Sequence, residues 1–122
     1  MPLMGYGSYD ADKEGELAAI IKKAVLDVGY RSIDTASCYN TEVQIGEALS
    51  EILKGGKVKR EELFITTKIW HTEKTDMEAA IQKSLKNLQI DYIDLYLIHW
   101  PYPGTIPGTS EPKRLPMHKV WA

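Results

Sequence analysis

A single cysteine, Cys38, stands among 122 residues. It excludes a disulfide framework within the chain and suits a reducing compartment, so the cytoplasm is the expected location. No apolar run approaches the roughly 20 residues of a membrane-spanning helix, so no membrane association is expected. The opening Met-Pro-Leu-Met-Gly-Tyr-Gly-Ser-Tyr-Asp has no basic stretch followed by an apolar one, which excludes a signal-peptide reading. Charge of one sign is scarce too. Lys and Arg number 15 against 17 Asp and Glu, for a net charge of −2, and they are interspersed. That argues against a nucleic-acid partner. His71 and His118 have no partners at metal-ligand spacing, so no metal is expected. Gly5-Tyr6-Gly7-Ser8 runs on into Tyr9 and Asp10, not into a Gly-x-Gly-x-x-Gly phosphate loop.

What the chain does have is a repeat of strand and helix signals. Residues 3–7 read as a short strand or its approach, and Asp10 to Lys13 supply polar helix-start residues. Leu17, Ile20, Ile21, Ala24, Val25 and Val28 then follow a helical stripe, with Gly29 where a C-terminal glycine belongs. A second strand reads from Tyr30 to Asp34. A second helix follows from a Thr41/Gln44 capping box through Ile45, Ala48, Leu49, Ile52 and Leu53 to Gly55-Gly56. A third strand spans Leu63 to Lys68. A Thr75/Glu78 capping box opens a third helix with Met77, Ala80, Ile81, Ser84, Leu85 and Leu88 on its stripe. The fourth strand, Tyr92 to His99, is nearly continuously apolar, as a strand buried on both faces should be. From Trp100 to Pro116 the chain holds five of its six prolines and reads as a loop, with Met117 to Ala122 able to open a fourth helix.

Spacing of about 30 residues between strands is the length of a strand plus a crossover helix and predicts a parallel sheet. The expected fold is α/β, a (β/α)8 barrel. Such barrels typically take about 250 residues, so the 122 residues, read as a single domain, would cover about the first half. Barrels of this kind place functional side chains at strand C-termini. Asp34, Lys68 and His99 each end an expected strand, and Tyr39 lies just past one. A free tyrosine has a pKa near 10; bringing it to about 7 takes roughly 4 kcal/mol of differential interaction. One close ammonium in a dry site can supply that. Lys68 is the candidate ammonium, Asp34 its anchor, and His99 a hydrogen-bond donor to a substrate oxygen. Together the four could protonate a carbonyl oxygen as hydride reaches the carbon. Taken singly, each reads more simply as structure: a packed tyrosine, a solvated lysine, a turn aspartate, a core histidine. Trp70, Trp100 and Tyr9 also follow strand ends, where aromatics can wall an apolar pocket or merely pack the rim. Cys38, next to Tyr39, could be reactive, but reads more simply as a small buried thiol.

Several strings carry a resemblance. Gly-Tyr-Arg-Ser-Ile-Asp-Thr-Ala (29–36), Tyr39, Val-Gln-Ile-Gly-Glu-Ala-Leu (43–49), Lys-Arg-Glu-Glu-Leu-Phe-Ile-Thr-Thr-Lys-Ile-Trp (59–70) and Asp-Leu-Tyr-Leu-Ile-His-Trp-Pro (94–101) closely resemble the aldo-keto reductases in order and spacing. The resemblance implies NAD(P)H-dependent reduction of small-molecule aldehydes or ketones to alcohols, with NADP(H) favoured and NAD(H) the alternative. It implies that Asp34, Tyr39, Lys68 and His99 form the catalytic tetrad, with Tyr39 as proton donor, Lys68 lowering its pKa while paired with Asp34, and His99 orienting the carbonyl. Gly7, Ser8 and Tyr9, with Asp34, would lie at the nicotinamide, and Tyr9, Trp70, His99 and Trp100 at the substrate. A full-length form would be a monomer.

The sequence departs from the family pattern in four respects. Asn40-Thr41-Glu42 stands where an Asn usually directly precedes the Glu. Tyr9 replaces a tryptophan. The family's N-terminal hairpin is missing. In family terms the chain stops at the start of the fourth helix, without strands five to eight or the segments that hold the adenosine 2′-phosphate. The expectation is therefore the N-terminal half of a reductase. The alternative is a truncated or non-catalytic half-barrel acting as an interaction or structural protein. An isolated half, with two open sheet edges, is expected to be poorly soluble, to self-associate or to fold loosely.

Overall fold

The structure, a computed structural model, describes residues 1–11 and 15–100. Four strands, β1 (Gly5–Gly7), β2 (Ser32–Asp34), β3 (Phe64–Ile69) and β4 (Leu95–Ile98), form one sheet in the order β1-β2-β3-β4. Every pairing is parallel. The crossovers are α1 (Leu17–Lys23), which runs on as a π-helical turn over Ala24–Val28, α2 (Glu42–Lys54) and α3 (Met77–Leu88). Sequential strand order with helical crossovers is the arrangement of the first half of a (β/α)8 barrel, as the sequence implies.

The helices cover one face of the sheet. Ile33, Ile65, Thr67 and Ile69 point to that face and are buried. Leu17, Ile21, Val25, Ile45, Leu49, Ile52 and Leu88 pack over them. At Gly46 the α2 and α3 backbones come so close that a Cβ there would lie 2.1 Å from the Asn87 carbonyl oxygen. Only glycine permits that approach. Ahead of β3 and β4, at their N-terminal ends, Arg60 bonds Asp94 at 2.6 Å and the Tyr92 carbonyl at 2.8 Å, with its guanidinium 3.9 Å from the Tyr92 ring centre. The same Asp94 carboxylate accepts from the Ile65 amide, which fixes the entry of β4 against β3.

Several local expectations are corrected. The first helix starts after Glu16, not at Asp10, whose φ of +54° marks a turn. Ile20 and Val28 are exposed. The wider π turn advances each residue by less than an α-helical step, so Val28 rotates off the buried stripe. Thr41 sits at the α2 N-cap but makes no side-chain cap. Its Oγ1 is committed to Ser8 Oγ at 3.1 Å and Thr35 Oγ1 at 3.0 Å, since in a buried site those hydroxyls need partners more than the helix end does. In α3 the cap is Asp76, one residue beyond Thr75, whose carboxylate accepts from Ala79 N. β4 is not buried on both faces: Leu95 and Leu97 are over a third exposed, because no described element covers the face opposite the helices. The expected proline-rich loop beyond Trp100 and the helix start at 117–122 lie outside the described residues.

Candidate active site

The register builds the site. Gly7, Asp34, Thr66 and Leu95 lie side by side across the sheet, and Lys68 lies opposite Leu97, two residues further along. Adjacent parallel residues share a face, so Asp34 and Lys68 both project away from the helices. There the Lys68 ammonium donates to Asp34 Oδ1 at 2.5 Å and to the Thr35 carbonyl at 2.8 Å. The lysine side chain is 14% exposed and the aspartate 46%. The pair is therefore sheltered on one side and open on the other.

Tyr39 enters from a 3-10 turn over Ser37–Tyr39 that follows β2, closed by Asn40 at φ +57°. Its hydroxyl lies 3.4 Å from His99 Nε2, and the Lys68 Nζ lies 5.4 Å from its ring centre. The Tyr9 ring packs edge-on against it at 5.1 Å. His99 is set just past β4 by its amide, which donates to the Ile69 carbonyl. The other His99 nitrogen, Nδ1, is 3.4 Å from Cys38 Sγ. Trp70 contacts the His99 ring at 5.1 Å and the Trp100 ring at 5.3 Å. Tyr9, Cys38, Tyr39, Trp70, His99 and Trp100 line one cavity of about 590 Å³. That size suits a small organic ligand, and so does a lining of aromatics with a few convergent polar groups.

The electrostatics favour neutral side chains in this cavity. Burial, then the Asp34 charge, pushes the Tyr39 phenol above its ordinary range. Burial, then the Lys68 charge, pulls the His99 imidazole below its own. Burial likewise raises the Cys38 thiol. At neutral pH the arrangement offers a protonated phenol and an uncharged imidazole beside an ion pair. That can deliver a proton to an oxygen atom placed between Tyr39 and His99.

The structure thus brings Asp34, Tyr39, Lys68, His99, Tyr9, Trp70 and Trp100 to one end of the sheet. Gly7 is exposed at the end of β1. Ser8 is turned the other way: it is fully buried, and its hydroxyl is spent on Thr41. Cys38 corrects its sequence expectation, and Glu73 joins the site without having been singled out in the sequence. Cys38 is partly buried with its sulfur on His99, not a core thiol. Glu73 accepts from Ser37 Oγ at 2.5 Å, from the Trp70 amide at 3.1 Å and from Lys83 Nζ at 3.3 Å, so it ties the Tyr39 turn to the Trp70 loop. The sequence carries no capping-box signal for Glu73, since Trp70 stands where a Ser or Thr would. Nothing local points from Cys38 to a histidine 61 residues away.

Known proteins resemble this chain along most of its length. A family model described as the aldo/keto reductase family matches residues 3–121. Methylglyoxal reductase DkgA of Salmonella typhimurium is 52% identical over 104 residues, covering 85% of this chain and 36% of that protein. Aldo-keto reductase family 1 member A1 of Rattus norvegicus is 52% identical over 105 residues, 84% of this chain and 32% of that protein. The chain therefore spans about a third of the length of these relatives. Among solved structures, a Bombyx mori aldo-keto reductase in complex with NADP superposes with a TM-score of 0.85 at 36% identity, over 99% of this chain and 41% of that one. The aldose reductase of Schistosoma japonicum does so with a TM-score of 0.82 at 38% identity, over 99% and 43%.

Proposed function

We propose, from the premise that this chain belongs to the aldo/keto reductase family, that it carries the proton-donating half of a carbonyl reductase site, with Tyr39 as the donor. The observation that carries this reading is the Tyr39 hydroxyl 3.4 Å from His99 Nε2, next to the Lys68–Asp34 pair and on the wall of the 590 Å³ cavity.

The residues present fit the nicotinamide end of a dinucleotide. Asp34 keeps an open carboxylate edge for a hydroxyl or amide donor, and Gly7 and Tyr9 are exposed at the end of β1. These groups would hold that end of NADP(H), the cofactor in the Bombyx mori complex, or of NAD(H). When bound, the cofactor supplies hydride to the carbonyl carbon.

The chain's own residues do the rest. A small aldehyde or ketone enters among Tyr9, Trp70 and Trp100, whose rings wall it on the side of the sheet. His99, uncharged, donates a hydrogen bond to the carbonyl oxygen and holds it against Tyr39. As the carbon gains hydride, the oxygen takes the proton from Tyr39 Oη and the alcohol is complete. The phenolate left behind faces the Lys68 ammonium, 5.4 Å from the ring centre. At that distance a unit charge contributes about 3 kcal/mol at an effective dielectric near 20, part of it offset by Asp34 on the same ammonium. Lys68 thus acts chiefly on the charge that develops during transfer, while burial keeps the resting phenol protonated.

The test is Tyr39→Phe in the protein at its native full length. Turnover of a small aldehyde should fall by at least about 10³-fold with nucleotide binding retained. Turnover like the wild type would exclude Tyr39 as the donor.

A further inference from the structure

We infer that Cys38 is a positioning residue, whose thiol donates to Nδ1 of His99 and so fixes the imidazole tautomer that carries its proton on Nε2, toward Tyr39 and the cavity. This rests on the reading of the cavity as a carbonyl-reducing site.

Two consecutive residues of one 3-10 turn grip both nitrogens of one ring. Cys38 Sγ lies 3.4 Å from Nδ1, and Tyr39 Oη lies 3.4 Å from Nε2. A neutral imidazole has one donor nitrogen and one acceptor, so whatever bonds one nitrogen decides the other. Burial keeps the Cys38 thiol protonated, and burial together with Lys68 keeps the ring neutral. A protonated thiol is a weak donor. As the donor to Nδ1, and not the acceptor its sulfur could also be, it leaves the ring proton on Nε2, where Tyr39 Oη accepts it. The opposite tautomer would present a bare Nε2 lone pair to the cavity, which repels a carbonyl oxygen and cannot orient it.

The turn is well placed to do this. Tyr39 N donates to the Ala36 carbonyl, and Ser37, the residue before Cys38, is held by Glu73. The sulfur is therefore delivered by a fixed backbone.

The experiment is histidine-selective ¹⁵N NMR on the full-length protein, with steady-state kinetics on Cys38→Ala and Cys38→Ser. The wild type should show an unprotonated Nδ1 and a protonated Nε2 at His99. Cys38→Ala should mix the tautomers and lower kcat by about three- to tenfold, with KM changed by less than about twofold. Cys38→Ser, which keeps a donor at the same place, should restore both the tautomer and most of kcat. A protonated Nδ1 in the wild type, or an unchanged tautomer in Cys38→Ala, would overturn the inference. The wild-type spectrum decides the first point even where the variant does not fold. Full turnover in Tyr39→Phe would instead remove the reductase reading, while the wild-type His99 spectrum would still decide the tautomer.

Discussion

Lys68 and Asp34 stand on neighbouring parallel strands with their rows offset by two residues, yet the lysine bends back to close a 2.5 Å ion pair with the aspartate and caps the Thr35 carbonyl with the same ammonium. A flexible four-carbon stem is what spans that offset. The ammonium is left fixed near the Tyr39 ring, not free in solvent.

Lys68→Met in the full-length protein should therefore lower kcat by about 10²- to 10³-fold, because the phenolate loses its neighbouring positive charge. Asp34→Asn should do less, about tenfold, since the lysine keeps its bond to Thr35. Steady-state kinetics on one small aldehyde checks both. An Asp34→Asn loss larger than that of Lys68→Met would show that the aspartate acts on the ligand itself.

The pH dependence follows from the directions at Tyr39 and His99. With the Tyr39 phenol above its ordinary pKa near 10, the proton donor stays loaded across the neutral range, and reduction should fall only as pH rises past 10. With His99 below its ordinary value near 6.5, the acid limb should fall below that pH. Stability has its own signs. Between the folded and unfolded His99 pKa values the unfolded chain binds more protons, so stability is lost as pH drops through 6.5 and below. Above pH 10 the folded chain holds the Tyr39 proton longer, so stability is lost as pH rises there. A kcat profile, with thermal melts from pH 5 to 11, tests each limb. An alkaline fall in reduction that begins near pH 8 would contradict the raised phenol.

How much of this was readable in the sequence depends on the range of the interaction. The stripe Ile45, Ala48, Leu49, Ile52 gave α2 because apolar periodicity is local, and all four are buried. The ends of the strands gave Asp34, Lys68 and His99 a common end of the sheet, because parallel crossovers align strand C-termini. Thr41 misled, since capping is a contest between the helix end and any better partner, and two buried hydroxyls, Thr35 six residues away and Ser8 thirty-three, won it. The Cys38–His99 contact spans 61 residues. The lowering of the Tyr39 pKa by Lys68, expected from their proximity, gives way in the resting structure to burial and Asp34. Such balances depend on distances that no residue spacing encodes.

Gly46→Ala should cost about 1–3 kcal/mol. Its Cβ would meet the Asn87 carbonyl at 2.1 Å and Leu88 backbone atoms at 2.8 and 3.0 Å, all backbone that moves only with the helix. Urea titration measures the cost. A neutral result would mean that α2 and α3 separate freely, and the close crossing would lose its structural importance.

Glu73 links the cavity wall to the donor turn. Burial works to raise its pKa, but the Ser37 hydroxyl, the Trp70 amide and Lys83 outweigh it, and the carboxyl sits below its ordinary value. Its contribution is therefore present above about pH 4.5 and lost as pH falls from there. Glu73→Ala releases Ser37 and the Trp70 amide together. Because these groups shape the cavity without taking part in proton transfer, KM for a small aldehyde should rise about three- to tenfold while kcat changes by less than about threefold. Glu73→Gln keeps an acceptor oxygen for Ser37 and the Trp70 amide and gives up the exposed Lys83 contact, so it should recover most of the loss. Kinetics on both variants at neutral pH decides the matter. A fall in kcat as large as that of Lys68→Met would mean that the carboxylate reaches the reacting atoms, which its position behind Ser37 and Trp70 argues against.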